Sequence, residues 1–286
     1  MPTIRGFAPA KVNLTLHITG KRNDGYHLLD SLVGFAGVSD QIEVSLASDL
    51  TLSVEGPFKA GVPTDESNII LKAAMALLHA NKTERGATIK LTKNLPHPAG
   101  LGGGSSDAAT TLALLAQLWD LPPITAKHPY AAALGSDVPV CIAGPHPMRM
   151  AGIGDLLAPA PALPDCAMVL VNAGQPASTA DVFDALHNPD NDTMPAIPAN
   201  MTFDTLCTWL KRQRNDLLIP ARALTTGVSE ALEKLGSMPQ VNHTFMSGSG
   251  ATCVGLVQNM TQAKQVARAI QVAEMNWWVA PAPLLK

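Results

Sequence analysis

Four glycines stand within residues 100–104, directly before an apolar segment, residues 105–121, that is typical of a buried helix. Glycine adopts positive φ without steric cost and lets a bound group approach the backbone closely. The first turn of a helix presents unsatisfied N–H groups and the positive end of the helix dipole. This combination favours a phosphate-binding site. The alternative is a flexible turn with Ser106 as the helix N-cap, but so many glycines cost more conformational entropy than a cap requires.

Two widespread phosphate loops do not fit this segment. The P-loop pattern ends in glycine, lysine and a hydroxyl residue, and no lysine follows Gly104. The dinucleotide-binding pattern requires a glycine where this chain has Ser105, and no acidic residue is placed as that pattern requires. A phosphate loop of a different kind is therefore indicated.

Charge and composition exclude several classes of protein. The chain has 286 residues, which corresponds to roughly two domains of ~150 residues. Its 20 Lys and Arg against 23 Asp and Glu give a net charge of -3, whereas a nucleic-acid-binding domain shows a basic excess. A hydrophobic fraction of 47% excludes intrinsic disorder. No apolar run reaches the ~18 residues of a membrane span, so we expect neither nucleic acid nor membrane as a partner.

The cysteines and the N-terminus favour a cytoplasmic location. The four cysteines are scattered without a Cys-x-x-Cys pair, which is typical of buried thiols in a reducing compartment. Residues 1–10 contain neither the apolar run nor the cleavage pattern of a secretory signal. The eight histidines lack metal-ligand spacing, so we predict no metal site built from the protein itself.

Apolar periodicity predicts a mixture of strands and helices. Alternation over residues 12–18 predicts a half-buried strand with Lys11 and Asn13 on its polar face. A proline-rich stretch within residues 145–165 marks the expected domain boundary. Further strands are predicted at residues 41–46, 50–54, 87–91, 168–172, 243–247 and 251–258, and further helices at residues 68–81, 202–213, 227–235 and 261–275. This mixture favours the α+β class over a doubly wound parallel sheet.

Three segments in order along the chain resemble the motifs of the GHMP kinase superfamily. They are residues 9–14, Pro-Ala-Lys-Val-Asn-Leu; residues 96–106, which resemble its phosphate loop; and residues 246–251, Met-Ser-Gly-Ser-Gly-Ala. The resemblance implies a two-domain α+β GHMP kinase fold. A ribosomal protein S5 domain 2-like N-terminal domain, residues 1–155, would bind ATP, and a ferredoxin-like C-terminal domain, residues 156–286, would bind the substrate. Whether the last strand returns to the first domain stays open.

Further segments resemble the branch of this superfamily that phosphorylates 4-diphosphocytidyl-2-C-methyl-D-erythritol. Residues 20–27, Gly-Lys-Arg-Asn-Asp-Gly-Tyr-His, resemble its G-x-R-x-D-G-Y-H motif, and residues 134–140 and 214–217 agree with it. The resemblance implies ATP-dependent phosphorylation of the 2-hydroxyl of this small cytidyl substrate, in non-mevalonate isoprenoid biosynthesis. It implies ATP, with Mg²⁺ as the partner of ATP. The sequence does not fix the oligomeric state, and a monomer or weak homodimer is expected. The alternatives are a homoserine or mevalonate-type kinase and a non-catalytic binding protein of the same fold.

The resemblance assigns the phosphoryl-transfer chemistry to Asp137 and Lys11. Asp137 is a lone carboxylate beside an apolar run and matches the family's catalytic base, although by sequence alone it could be a helix or turn cap. Lys11 matches the active-site lysine, although a strand lysine is more often a solvated edge residue. A cation near Asp137 would keep the carboxylate ionised and stabilise the nascent alkoxide. Asn13 shares the face of Lys11 and would orient the same groups.

The predicted substrate site uses some of the few aromatic residues of the chain. Tyr26 would stack on the cytosine ring and His27 would hydrogen-bond the base, the alternative being the exposed end of a hairpin. Phe183 matches the family's second stacking residue, with a core phenylalanine as the alternative. The resemblance completes the substrate-binding set with Asn13, Asp137, Thr179, Gly248 and Ser249.

The predicted nucleotide site extends from the phosphate loop to the adenine side. The resemblance places Asn68 and Lys93 near the adenine, with a helix cap or a solvated charge as the alternatives. The phosphate-binding residues are predicted to be Pro98, Ala99, Gly100, Leu101, Gly102, Gly103, Gly104, Ser105 and Ser106.

Overall fold

The computed structural model describes residues 3–286. They form two compact units, each assembled from segments that are distant in the sequence. In the described part of the chain, unit one comprises residues 3–10, 39–96 and 102–144, and unit two comprises residues 11–38, 97–101 and 145–286. The predicted roles of residues 1–155 and 156–286 as ATP-binding and substrate-binding domains stay a prediction.

The described strands and helices occur in runs rather than in strict alternation. In chain order they are β1 (Thr3–Asn13), β2 (His17–Lys21), β3 (His27–Ala47), β4 (Leu50–Glu55), α1 (Ile69–Ala80), β5 (Gly86–Thr92), α2 (Gly103–Trp119), α3 (Pro129–Leu134), α4 (Val138–Ala143), β6 (Met148–Gly152), β7 (Leu156–Pro159), β8 (Ala167–Asn172), α5 (Thr179–Asp184), α6 (Phe203–Leu210), α7 (Leu218–Leu224), α8 (Thr226–Gly236), β9 (His243–Met246), β10 (Cys253–Val257), α9 (Met260–Ala273) and β11 (Trp278–Pro283).

Unit one buries an apolar core beneath its strands and helices. The later part of β3 pairs antiparallel with β5, so that Gln41 lies opposite Thr92, and β4 pairs parallel with β5. Helices α1 and α2 pack against each other. The core contains Ile42, Ile70, Leu77, Ile89, Leu112 and Trp119. Helix α2 is buried along most of its length, as its apolar composition predicts.

Unit two contains an antiparallel sheet with the strand order β11-β8-β10-β9. The apolar strand β8 is central, and its Val171 lies opposite Cys253 of β10 and Val279 of β11. Helices α8 and α9 pack against this sheet. The final strand β11, whose course the sequence leaves open, therefore belongs to unit two. The first part of β3, paired with β2 and β6, lies in the same unit.

The prediction of one half-buried strand over residues 12–18 is wrong in two respects. Strand β1 ends at Asn13 and β2 begins at His17. The polar side chains of this segment are buried, as the apolar ones are. Asn13 donates to the Ser31 hydroxyl at 2.8 Å, and Thr15 accepts a hydrogen bond from Leu32 N at 2.9 Å. These internal partners replace water around Asn13 and Thr15.

The predicted long elements are present with shifted ends. Helix α2 begins at Gly103, earlier than the predicted residue 105, so glycine forms its first turn.

In residues 3–286 no helix combines the length and apolarity that crossing a bilayer requires. Burial raises the pKa of the Cys166 and Cys253 thiols to about 12, which keeps both protonated.

Candidate active site

The phosphate loop, residues 96–106, ends in the first turn of α2. Gly102 is the N-cap with φ +57°, and this helix start receives no capping hydrogen bond from a side chain in the described chain. Ser106 lies inside α2, where its N–H donates to the Gly102 carbonyl at 2.9 Å. The alternative that Ser106 is the N-cap is therefore wrong. The helix start presents backbone N–H groups and the positive end of the dipole, which is the arrangement that binds phosphate.

The earlier half of the loop, in unit two, packs against the second glycine motif. Gly100 has φ +70°, and a Cβ there would lie 2.3 Å from the Ser247 carbonyl oxygen and 2.9 Å from Gly250 N. Gly248 has φ +56°, and its Cβ would lie 3.0 Å from the Gly100 carbonyl oxygen. Glycine alone fits such approaches. The two glycine motifs therefore form one structural feature.

The Ser247 hydroxyl connects these motifs to the N-terminal one. Its Oγ donates to the Gly100 carbonyl at 2.8 Å and accepts from Asn13 N at 3.1 Å. A backbone hydrogen bond of 2.8 Å from Lys11 N to the Leu101 carbonyl joins the same segments. Parts of all three motifs that resemble the GHMP kinases are thus brought together in unit two.

Lys11 is buried, with 3% of its surface exposed. Its Nζ donates to Asn13 Oδ1 at 2.7 Å, and Asn13 Nδ2 donates to Ser31 Oγ at 2.8 Å. Ser31 Oγ in turn donates to the Thr15 carbonyl at 2.5 Å. The alternative of a solvated edge lysine is therefore wrong. The hydrogen bonds satisfy an ammonium that would otherwise be costly to bury, and the catalytic role of Lys11 stays a prediction.

Asp137 is half-buried and directly precedes α4 in unit one. It occupies the N-cap position with φ -89° and ψ -9°, and its carboxylate makes no capping hydrogen bond to a described residue of the helix. The alternative of a helix cap therefore does not account for this carboxylate. Its role as the catalytic base stays a prediction.

The predicted aromatic residues occupy different environments. The His27 and Phe183 rings are stacked, with centroids 5.0 Å apart and planes at 28°. Phe183 also packs against the apolar core of unit two. Tyr26 is 58% exposed. Burial, and then the positive charge of Lys21, lower the pKa of His27, so its ring is neutral at neutral pH and offers both a donor and an acceptor.

A second set of polar residues surrounds Gly248. The Thr179 and Ser249 hydroxyls are 2.9 Å apart and hydrogen-bonded. Asn215 Nδ2 donates to the carbonyls of Met246 and Gly248, each at 2.8 Å. Asn215 thereby fixes the backbone on both sides of Ser247, and the predicted substrate residues of this motif lie on a rigid turn.

Asn68 and Lys93 have structural partners within unit one. Asn68 caps α1, because its Oδ1 accepts from Ile70 N at 2.8 Å. Lys93 donates to Asp40 at 2.5 Å and to Asp107 at 2.8 Å. Burial acts to lower the pKa of Lys93, but the two carboxylates raise it, so the ammonium stays charged. Nucleotide contact by either residue stays a prediction.

Sequence reasoning missed several residues that shape these sites. Ser247 stands beside the predicted Gly248, but nothing in its sequence context shows which groups it bonds. Asn215 lies in a segment that resembles the family, with no role evident from the pattern. Asp107 gave one signal, because it is the one charged residue of α2. Asp40 gave none.

Family models match both halves of the chain. The model for the GHMP kinases N terminal domain matches residues 68–145, and the model for the GHMP kinases C terminal domain matches residues 196–275. The first match includes the whole phosphate loop and Asp137. The second includes Asn215 and the second glycine motif.

Individual proteins are similar over nearly the whole chain. A 4-diphosphocytidyl-2-C-methyl-D-erythritol kinase of Jannaschia sp. is 48% identical over 284 residues, which cover 99% of this chain and 98% of that protein. A crystal structure of 4-(cytidine 5'-diphospho)-2C-methyl-D-erythritol kinase matches with a TM-score of 0.79 at 30% identity, covering 99% and 100% of the two chains. A homoserine kinase structure from Cytophaga hutchinsonii matches with a TM-score of 0.69 at 15% identity, covering 100% and 95%. That last likeness concerns the fold alone.

Proposed function

The chain belongs to the 4-diphosphocytidyl-2-C-methyl-D-erythritol kinase family of the GHMP kinases, and from this premise we propose that it phosphorylates the 2-hydroxyl of that alcohol. The chain is accordingly an ATP-dependent small-molecule kinase with the GHMP kinase fold. The observation that carries the substrate assignment is the 48% identity over 284 residues to a kinase of this name. The product is the 2-phosphate, an intermediate of non-mevalonate isoprenoid biosynthesis.

The nucleotide enters as ATP with Mg²⁺, and the phosphate loop binds its phosphates. Backbone N–H groups of Gly103, Gly104 and Ser105 point outward from an N-terminal turn that Gly102 opens. The helix dipole favours the negative phosphates at this end of α2. Phosphoryl transfer requires mainly positioning and charge stabilisation, which such a turn supplies.

Asp137 and Lys11 carry out the proton and charge chemistry. Asp137 accepts the proton of the 2-hydroxyl while the hydroxyl oxygen of the substrate attacks the γ-phosphorus. The bond from the γ-phosphorus to the bridging oxygen breaks, and ADP leaves with that electron pair. Lys11 stabilises the developing alkoxide. Its burial strengthens that interaction, and Asn13 Oδ1 directs the ammonium.

The cytidyl part of the substrate binds to the aromatic residues of unit two. Phe183 and His27 present a stacked pair, and the neutral imidazole hydrogen-bonds the base. Tyr26 is exposed and can close onto the other face of the pyrimidine. The polar groups of Thr179 and Ser249, with the Gly248 backbone, contact the diphosphate and alcohol end.

Homoserine or mevalonate-type specificity is less well supported. Those substrates contain no pyrimidine, so a stacked aromatic pair has no counterpart in their recognition. We further propose that the protein acts in the cytoplasm as a monomer or weak homodimer. The buried, protonated thiols of Cys166 and Cys253 suit a reducing compartment.

Turnover with competing acceptors tests this function. The protein is incubated with ATP and Mg²⁺ and with the cytidyl alcohol, homoserine or mevalonate in turn, and ADP release is measured. We expect release with the cytidyl alcohol and none above background with the others. Release with homoserine or mevalonate only would reject the substrate assignment while leaving the kinase class intact.

A further inference from the structure

A buried cluster of three ionisable side chains lies against the start of α2 in unit one. Lys93 Nζ donates to Asp40 Oδ2 at 2.5 Å and to Asp107 Oδ2 at 2.8 Å. Each of the three side chains is at most 3% exposed. One lysine and two ionised carboxylates together carry one uncompensated negative charge. Such a charge is costly to bury, so protonation of one carboxyl is favoured.

The hydrogen bonds show which carboxyl is ionised. Asp40 Oδ1 accepts from Asn94 N at 2.6 Å and from Leu95 N at 2.8 Å, and its Oδ2 accepts from Lys93. These donors stabilise an anion. Asp107 Oδ1 is buried and accepts no hydrogen bond from a donor in the described chain. Asp107 therefore lacks the donors that an ionised carboxylate requires.

The charges around Asp107 act in the same direction. Burial raises the pKa of Asp107 to about 7. The positive charge of Lys93 acts to lower this pKa, whereas the charge of Asp40 and a hydrogen bond with Asp40 act to raise it. Helices α1 and α4 also pack on α2. They contribute none of the charged groups that act on Asp107, which among the described residues are Lys93 and Asp40.

The cluster lies directly behind the backbone of the phosphate-binding turn. A Cβ on Gly103, the first residue of α2, would lie 3.1 Å from Lys93 Nζ and 3.7 Å from Asp40 Oδ2. Because Gly103 has a helical backbone conformation, its φ does not require glycine. The absence of a Cβ instead leaves room for the Lys93 ammonium and the Asp40 carboxylate. The charge of the cluster therefore acts at short range, in a buried environment, on anything that the first turn binds.

We propose that Asp107 carries a proton that it shares with Asp40, so that the cluster is neutral, and that Asp107 thereby positions the nucleotide phosphates at the start of α2. This inference rests on the proposed nucleotide-binding role of the phosphate loop. The neutral acid donates to Asp40 and accepts from Lys93, which joins β3 and the end of β5 to α2. Loss of the proton places a negative charge behind the N–H groups that bind the triphosphate and opposes the helix dipole.

Nucleotide binding as a function of pH tests the inference with Asp107→Asn. The asparagine reproduces the shape and the hydrogen bonds of the neutral acid but cannot ionise. The dissociation constant of a non-hydrolysable ATP analogue with Mg²⁺ is measured by calorimetry between pH 6.5 and 9. For the wild type we expect binding to weaken by about tenfold over this range, as one unit of pKa coupling requires. For Asp107→Asn we expect wild-type affinity at pH 6.5 and no weakening from this cluster.

A matched control uses the other end of the same helix. Asp120 is exposed at the C-cap of α2 with φ +52°, a conformation that asparagine also adopts. Asp120→Asn is expected to keep the wild-type pH dependence. The inference is overturned if Asp107→Asn has the same pH dependence as the wild type, or if it binds the analogue tenfold more weakly at pH 6.5 with unchanged thermal stability.

A second measurement does not depend on the variant's folding. In wild-type protein with carbon-13-labelled aspartate carboxyls, one buried resonance is expected to titrate near neutrality, and bound analogue is expected to shift its midpoint upward. Absence of such a resonance would overturn the inference. Neither measurement uses an acceptor alcohol, so a failure here is distinguishable from a failure of the proposed kinase specificity.

Discussion

The Ser247 hydroxyl and the Gly100 carbonyl, 147 residues apart in sequence, are joined by a hydrogen bond of 2.8 Å. The same hydroxyl accepts from Asn13 N at 3.1 Å. One side chain thus fixes the separation of the two glycine motifs and their position relative to the strand that carries Lys11. The conformation of each motif therefore depends on hydrogen bonds to another motif.

Replacement of Ser247 by alanine is expected to destabilise both glycine motifs. It leaves the part-buried Gly100 carbonyl and the buried Asn13 N–H without their partner, at about 1–3 kcal/mol for an unsatisfied buried group. We expect a comparable fall in the free energy of unfolding by urea and a lower kcat/KM. Ser237→Ala is the control, because Ser237 is exposed at the end of α8. Equal stability and activity of the two variants would show that the bridge has no energetic role.

Replacement of Gly100 by alanine is expected to cost more than its backbone conformation alone explains. Gly174 has a similar φ, +76°, with nothing within 4 Å of a Cβ, whereas a Cβ on Gly100 meets the Ser247 carbonyl oxygen at 2.3 Å. Gly174→Ala is therefore expected to lower the free energy of unfolding only by the left-handed strain of about 1–2 kcal/mol. Gly100→Ala adds to this strain the collision of its Cβ with the Ser247 carbonyl oxygen, which displaces the phosphate loop. Urea unfolding and ATP affinity measure the difference, and equal losses in both variants would disprove the close approach.

Local patterns account for the elements with strong periodicity and for the sites that motifs mark. The glycine loop followed by an apolar segment predicts α2, and the three motifs predict the family. The six-residue helices α3, α4 and α5 are too short for a 3.6-residue period to appear. The buried polar face around Asn13 depends on Ser31 and Ser247, which are distant in sequence. Such tertiary partners leave no trace in the local pattern.

The cluster of Lys93, Asp107 and Asp40 is a second case of tertiary partners that the local sequence does not reveal. Lys93 matches a family position, but its sequence context does not reveal that its ammonium is shared by two carboxylates. One of these, Asp40, lies 53 residues away. The structure is required to see that these residues form a cluster behind Gly103.

Replacement of Asp137 by asparagine is expected to abolish turnover without preventing ATP binding. The amide cannot accept the hydroxyl proton, and loss of a positioned base costs about 10²–10⁴-fold in rate. Single-turnover measurements and calorimetry with the ATP analogue separate the two effects. Asp165→Asn is the control, since that carboxylate is 93% exposed. Turnover of Asp137→Asn near the wild-type rate would remove Asp137 from the role of base.

Replacement of Phe183 by alanine is expected to weaken binding of the cytidyl substrate selectively. Loss of base stacking costs about 1–3 kcal/mol, which appears as a raised KM for the alcohol with little change in the KM for ATP. Phe183→Tyr keeps the ring that stacks on His27 and is expected to retain affinity. If Phe183→Tyr and Phe183→Ala were equally impaired, or if both KM values rose together, a stacking role would be contradicted.

The stability of the protein is expected to fall between pH 6.5 and pH 4 because of His243. Burial, and then the positive charge of Lys211, lower the pKa of His243 from its ordinary 6.5 to about 4. The unfolded chain therefore binds a proton at His243 before the folded chain does, so this contribution is fully present above pH 6.5 and is lost as the pH falls toward 4. With partial solvent screening, we expect the free energy of unfolding to fall by about 2 kcal/mol over this range. His243→Phe keeps a ring beside Phe245, with which His243 stacks at 5.7 Å, and is expected to remove this slope from urea-unfolding data. A variant of the exposed His187 serves as the control, and an unchanged slope in His243→Phe would assign the acid sensitivity to other groups.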